Sequence, residues 1–425
     1  MLKEKELSFM TLDPIRAAQD LRKAGNKESH LPALALCAVY MLLSCVMYLR
    51  QFTYTHADFY LHAAIADYFD FTDLHTITSR IAYPMWHLLV RTVKYMGASL
   101  EWAAVGVSTV VKGLSYLLVY GLTIAMSNGL YKRWKLALFS FALVVVTPIW
   151  IPAVNPLVYS GVGSPNVWHN PTQQLIMMVM LMVMPWVCHC WYEFERRMEN
   201  GETNVMLPWW KIIVLAVLGM GSVACKATFM QALLPAAFVM YLVELCRRPK
   251  EWRYFGQIIL GFLPAAAYFL LQYLYYTGVV VEYTSGVEFG ITLETAWIAI
   301  RNGLMMSACP LAAFIACWRK GLLKDRMLLL ALLMLAFSVL EAMAFRETGQ
   351  RRGHGNFTWA SNSSSFFLWV AMAGVFLREM KERIRSGALC AWRKAGLAVT
   401  LALFVWQLGA GIGYYVFLMT SDYSF

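Results

Sequence analysis

Charge is what this chain has least of. Of its 425 residues only 14% are Asp, Glu, Lys or Arg, while 60% are hydrophobic, and the mean hydropathy is +0.53. A soluble domain of this length does not need so apolar a composition to build one core, so the reading is a polytopic membrane protein. A cleavable leader is not expected either: residues 1–30 are polar and mixed in charge, without an apolar centre. They are expected to form a cytoplasmic tail ahead of a retained first helix. No repeat at solenoid periods is visible, nor any soluble domain, and beyond Leu418 only a short extracytoplasmic tail, 419–425, is expected.

The nine cysteines form no framework. Cys37, Cys45, Cys225, Cys309 and Cys317 sit in apolar runs, where a thiol behaves as a small hydrophobe. Cys188-His189-Cys190 lacks the second half of a zinc pattern, so no metal or other cofactor is implied. The formal charge of +11 does not point to nucleic acid. Its Lys and Arg residues fall in short clusters between apolar runs, the pattern that orients membrane proteins and attracts anionic lipid heads.

Runs long enough to cross about 30 Å of hydrocarbon lie at 31–50, 102–127, 134–153, 173–192, 208–225, 227–246, 255–276, 302–318, 327–345, 363–379 and 396–418. The expected fold is therefore an all-α integral membrane bundle of about eleven transmembrane helices, a single domain over 31–418. Basic clusters such as Lys132-Arg133-Lys135, Arg247-Arg248-Lys250 and Arg378-Lys381-Arg383-Arg385 belong on the cytoplasmic side. The loops there read as short connectors of little chemical variety. RIAYPMWHLLVRTVKYMG (80–97) would invert every later loop if it crossed, and is placed instead as an interfacial helix on the outer face. The outer face then gathers 51–101, 154–172, 277–301 and 346–362, with most of the non-cytoplasmic His, Asp, Arg and Asn residues.

The first of these opens with THADFYLHAAIADYFDF, which holds His56, Asp58, His62, Asp67 and Asp70. Asp58 and His62 are four apart and share a helical face, so the carboxylate is expected to orient the imidazole or raise its pKa. Asp67 and Asp70 read as a solvated face. Tyr83-Pro84-Met85-Trp86-His87 opens the interfacial helix, and SPNVWHNPTQQ brings Trp168, His169 and Asn170-Pro171 to the head of a later span. RETGQRRGHGNFTWASN sets Arg346, Arg351, Arg352, His354 and Asn356 outside, against the usual bias. Arginine forks there, with Gly353 and Gly355 allowing close backbone approach, suit a phosphate. Lys112, Lys226 and Glu341 lie in or near apolar spans, where an ionisable group needs a cavity or a partner. Asp58 is a conceivable partner for Lys112, and Arg346 for Glu341, while Lys226 fits a phosphate site.

An acid soon after the first span, an amphipathic helix, then a proline-aromatic start about twenty-five residues on resembles the GT-C fold glycosyltransferases. Within them the layout is similar to the aminoarabinose-transferase and protein-mannosyltransferase branch, over roughly the first 190 residues. Asp58 matches that family's acid, Ala63 agrees, and Pro84 matches its proline motif; the span 102–127 followed by YKRWK matches its cytoplasmic turn. Phe59 replaces a second acid, His62 a tyrosine, Tyr83 the usual Lys, His or Pro, and Asn170 the Asp of an Asp-Pro. The resemblance implies transfer of a sugar from a polyprenyl-phosphate carrier to an extracytoplasmic acceptor; the mixed basic clusters, no organelle retention signal and a short soluble complement make a bacterial plasma membrane the expected location. Asp58 would act as base. Arg346, Arg351, Arg352, His354 and Lys226 would hold the lipid phosphate, and His56, His62, Tyr83, Trp86, Trp168, His169, Asn170 and Asn356 would shape the sugar pocket. A transporter or flippase for lipid-linked sugars, or a polysaccharide polymerase, are the alternatives; paired halves of the kind many transporters show are not visible.

Overall fold

The computed structural model describes residues 13–23, 28–55, 58–78, 81–279, 287–348, 356–387 and 390–422. A short amphipathic helix, α1 (Pro14–Lys23), precedes α2 (Leu31–Arg50), which ends in a π turn over Gln51–Thr55. Three non-spanning helices follow, α3 (Asp58–Asp67), α4 (Leu74–Thr78) and α5 (Met85–Tyr95). The remainder comprises α6 (Leu100–Met126), α7 (Arg133–Leu143), α8 (Pro171–Glu199), α9 (Trp209–Cys225), α10 (Thr228–Arg247), α11 (Trp252–Val279), α12 (Leu293–Ala316), α13 (Arg326–Ala344), α14 (Trp359–Arg385) and α15 (Ala391–Thr420). Strands β1 (Val287–Phe289) and β2 (Phe345–Glu347) pair antiparallel, with Glu288 opposite Arg346. Among the described residues nine helices are long and apolar enough to cross a membrane, and α9 is a shorter apolar helix. The chain is a multi-pass, all-α membrane protein. With 11 residues, α5 rises only about 16 Å, too little to span.

The run expected to cross at 134–153 forms no spanning helix. Helix α7 stops at Leu143, and residues 144–170 form no helix, so the stretch from Arg133 at one end of the bundle to Asn170 at the other is helical only in its first part. Irregular backbone inside a bundle must have its polar groups satisfied by protein, and three buried amides do this. Gln407 donates to the carbonyls of Thr147, Met305 and Met306 at 3.0–3.2 Å and accepts from Cys309 N at 3.0 Å. Asn166 donates to Leu143 O and Val146 O, and Asn155 to Ile149 O and Val158 O. The proline and asparagine content of TPIWIPAVNPL ends the helix; the amides replace its ladder.

Close approach of this segment to α15 needs a glycine. A Cβ on Gly411 would lie 2.0 Å from Val145 O, a backbone atom that cannot swing aside. Gly411→Ala is therefore expected to destabilise the protein by roughly 1–3 kcal/mol, the range of an overpacked core. Thermal unfolding in detergent checks this, with Gly409→Ala, where a Cβ meets nothing within 4 Å, close to wild type.

The end of the bundle rich in Lys and Arg differs from the expected simple connectors. Arg378 pairs with Asp325 at 2.7 Å and donates to Met126 O, with both side chains of the pair buried. Arg326 bridges Glu195 and Glu244 at 3.0 and 3.1 Å. Arg383 pairs with Glu379 and donates to the carbonyls of Ala316 and Cys317, which end α12. His189 Nδ1 pairs with Asp13 Oδ2 at 2.7 Å, tying α1 to α8, so the histidine of the Cys-His-Cys triplet is part of a salt-bridge cluster that also contains Lys211 and Glu193. These cations lock helix ends together, and breaking such a buried pair is costly.

Candidate functional site

At the other end, four segments converge on one polar cluster. The chain leaves α2, turns, and restarts at Asp58, the first residue of α3, whose buried face of Phe59, Ala63 and Ala66 packs inward. Phe59 stacks on Tyr48 at 4.9 Å and meets the edge of Trp86 at 5.9 Å, fixing the helix that carries the acid. Opposite it, Asn170 caps the 29-residue α8, with Pro171 at the first helical position. Its Oδ1 accepts from Gln173 N at 3.0 Å and Thr172 Oγ1 at 2.8 Å, and its Nδ2 donates to Asp58 Oδ2 at 3.2 Å.

Lys226 completes the line. It stands in the tight turn between α9 and α10 and donates to Asn170 Oδ1 at 3.3 Å. Its ammonium lies 4.1 Å from the centroid of the Trp359 ring and 5.8 Å from that of Tyr83. Burial pushes this lysine down to about 7, with Asp58 pulling the other way. Lys226 and Asn170 are buried, whereas Asp58 is half-buried, so the carboxylate forms the accessible rim of a charged line whose floor is the lysine. The first turn of α8 adds the positive end of a long helix dipole.

Aromatic and imidazole side chains wall this line. His169 meets Tyr414 Oη at 3.2 Å, lies edge-on to Tyr159 at 4.6 Å and faces Trp359 at 5.9 Å. His169 and Tyr159 act as walls of the site. Below them Gln173 donates to Ser363 Oγ at 2.7 Å and to Trp359 O at 3.3 Å, joining α8 to the wholly buried SNSSS start of α14.

His62 corrects the expectation from spacing. It lies on α3 with Asp58, yet the ring partner it finds is His87, at 3.0 Å between Nδ1 and Nε2. Burial lowers its pKa well below the usual value, and His87, Lys226 and His169 push the same way; burial lowers His87 to about 3. Burial, rather than the carboxylate, decides this imidazole. Asp67 is not merely solvated either: it pairs with Arg91 at 3.2 Å and with Lys94, pinning α3 to α5. Asp70 is spent locally, accepting from Thr72 N and Oγ1.

The other sequence-selected residues divide by place. Trp86 is fully buried and donates to Ser108 Oγ, and Trp168 packs among Tyr40, Tyr48 and Tyr415; both support walls from behind. Lys112 does not meet Asp58. It donates to Val167 O at 2.9 Å and lies 4.1 Å from the centroid of the Trp168 ring, holding the irregular segment in place. Arg346 pairs with Glu288 across the strands rather than with Glu341. His56, Arg351, Arg352 and His354 lie outside the described residues, as does the Asn356 side chain. The chain resumes at the 3-10 turn Asn356–Thr358, three residues and at most about 10 Å before the Trp359 that covers Lys226. Tyr159, His87, Gln173, Ser363, Trp359 and Tyr414 belong to the cluster but were not selected from sequence. Polar SNSSS within an apolar run was a usable signal; Tyr414, in the last span, offered none.

No protein-family model matches this chain, and no curated protein matches its sequence.

Proposed function

We propose that this protein is a membrane glycosyltransferase of GT-C-like fold, transferring a sugar from a polyprenyl-phosphate donor to an acceptor on the extracytoplasmic side. The observation that carries the reading is the Asp58, Asn170, Lys226 line: an accessible carboxylate and a buried lysine, joined through one amide at a helix N-terminus. Asp58 takes the proton of the acceptor hydroxyl as its oxygen attacks the anomeric carbon. The bond from that carbon to the phosphate oxygen breaks with inversion, and the lipid phosphate leaves. Lys226 stabilises the charge developing on that phosphate. Among the described residues, Asn170 Oδ1 is the one hydrogen-bond acceptor found for its ammonium, which leaves two of its three donors for a ligand. Arg351, Arg352 and His354 are proposed from their sequence alone to add to the phosphate site. His62, Tyr83, His169 and Tyr159 shape the sugar pocket.

This reading places the basic end in the cytoplasm with the N-terminus, and the cluster outward, in a bacterial plasma membrane. It counts eleven passes, including α9 and the 133–170 segment. The purified protein in proteoliposomes, given a radiolabelled polyprenyl-phosphate sugar and extracted cell-envelope acceptors, is expected to release polyprenyl phosphate and label the acceptor. Movement of intact donor across the bilayer, with no cleavage of the sugar-phosphate bond, would establish the flippase alternative instead.

A further inference from the structure

The basic end carries a groove that the salt-bridge network does not absorb. Two adjoining concavities of about 390 and 350 Å³ share Leu130, Lys381 and Arg385. Lys132 and Lys135 line one, and Glu382 and Ser386 the other. Four cations thus face one acid, in contrast to the paired arginines nearby. Lys381 is close enough to Arg385 and Lys135 to feel their charges, a crowding of like charge that a bound anion would relieve.

The groove is built rather than incidental. Asn128 and Gly129, both at positive φ, reverse the chain between α6 and α7 and set Tyr131 against α14, where its hydroxyl donates to Leu377 O at 2.9 Å. The fixed ring then supports Lys381, whose ammonium lies 4.8 Å from the ring centroid. Lys135 is held the same way over Trp134, at 5.5 Å. Beside the cations an apolar strip leads along the bundle: Trp134, Leu138 one turn further on α7, and Ile384 on α14 are 48%, 51% and 63% exposed. Cations at the helix ends above an outward-facing apolar strip match a phospholipid, with charge at the head and hydrocarbon below.

We propose that this groove is a binding site for the phosphate headgroup of an anionic phospholipid, held by Lys132, Lys135, Lys381 and Arg385 with its acyl chains along Trp134 and Leu138. It is independent of the glycosyltransferase reading. The full-length protein is titrated in detergent with phosphatidylglycerol or phosphatidylcholine, and retained lipid is counted by native mass spectrometry. The Lys381→Gln, Arg385→Gln double variant is expected to bind phosphatidylglycerol at least tenfold more weakly, with phosphatidylcholine unchanged. Glu382→Gln, which removes the opposing charge, is expected to bind phosphatidylglycerol a few-fold more tightly. Unchanged phosphatidylglycerol retention in the double variant, or weaker retention in Glu382→Gln, overturns the site. Displacement of the lipid by millimolar inorganic phosphate would overturn the lipid assignment and leave a soluble phosphate site.

Discussion

Asp58→Asn is expected to lower sugar transfer by about 10²–10⁴-fold, the usual contribution of a positioned general base. The substitution is nearly isosteric, and the new side-chain oxygen still accepts from Asn170 Nδ2, so the 3.2 Å bond is kept. Thermal stability and donor binding should therefore hardly change, and the loss should fall on turnover. Because the acid sits at the half-buried rim rather than on the floor, a glutamate would misplace the carboxylate by one methylene and should rescue poorly. Single-turnover transfer by the reconstituted variant is the deciding measurement; wild-type rates there would remove Asp58 from the chemistry.

Lys226→Met is expected to reduce transfer by about 10²–10³-fold, as for loss of one preorganised donor to a developing charge. A group that acts on the departing phosphate should lower kcat more than it raises KM. The lysine also predicts a pH dependence. Burial brings it down to about 7, so the ammonium is present below that value and is lost as pH rises through it. The free-enzyme activity, kcat/KM, should fall on an alkaline limb near pH 7, whereas an ordinary lysine would stay charged to about 10.4. Lys226→Arg, which cannot lose its proton in this range, should remove that limb even if its fork fits less well. A limb that persists unchanged in Lys226→Arg would assign it to another group.

The legible part of the site lay in local sequence. Asn170-Pro171 is a helix start that residue chemistry alone prescribes, and the structure caps α8 with it. Asp58 opening a short helix after the first span was equally readable. The pairing of Asp58 with His62 failed because helical spacing gives only neighbours on one helix. His62 reaches His87, on another helix, and burial overrides the carboxylate four residues away. Lys112 failed for the same reason: it was an unexplained charge until the irregular segment brought Val167 O and Trp168 to it.

By itself the sequence determined a multi-pass helical membrane protein, its apolar segments and their basic connections, because hydropathy and the cost of burying charge act residue by residue. Tertiary structure decided what adds up only in three dimensions. It replaced the hydrogen-bond ladder of the helix expected at 134–153 with the amides of Asn155, Asn166 and Gln407, and it turned basic connectors into paired locks. It also drew Asp58, Asn170 and Lys226 onto one line across 112 and 56 residues of chain, a proximity that depends on helix packing and leaves no local pattern.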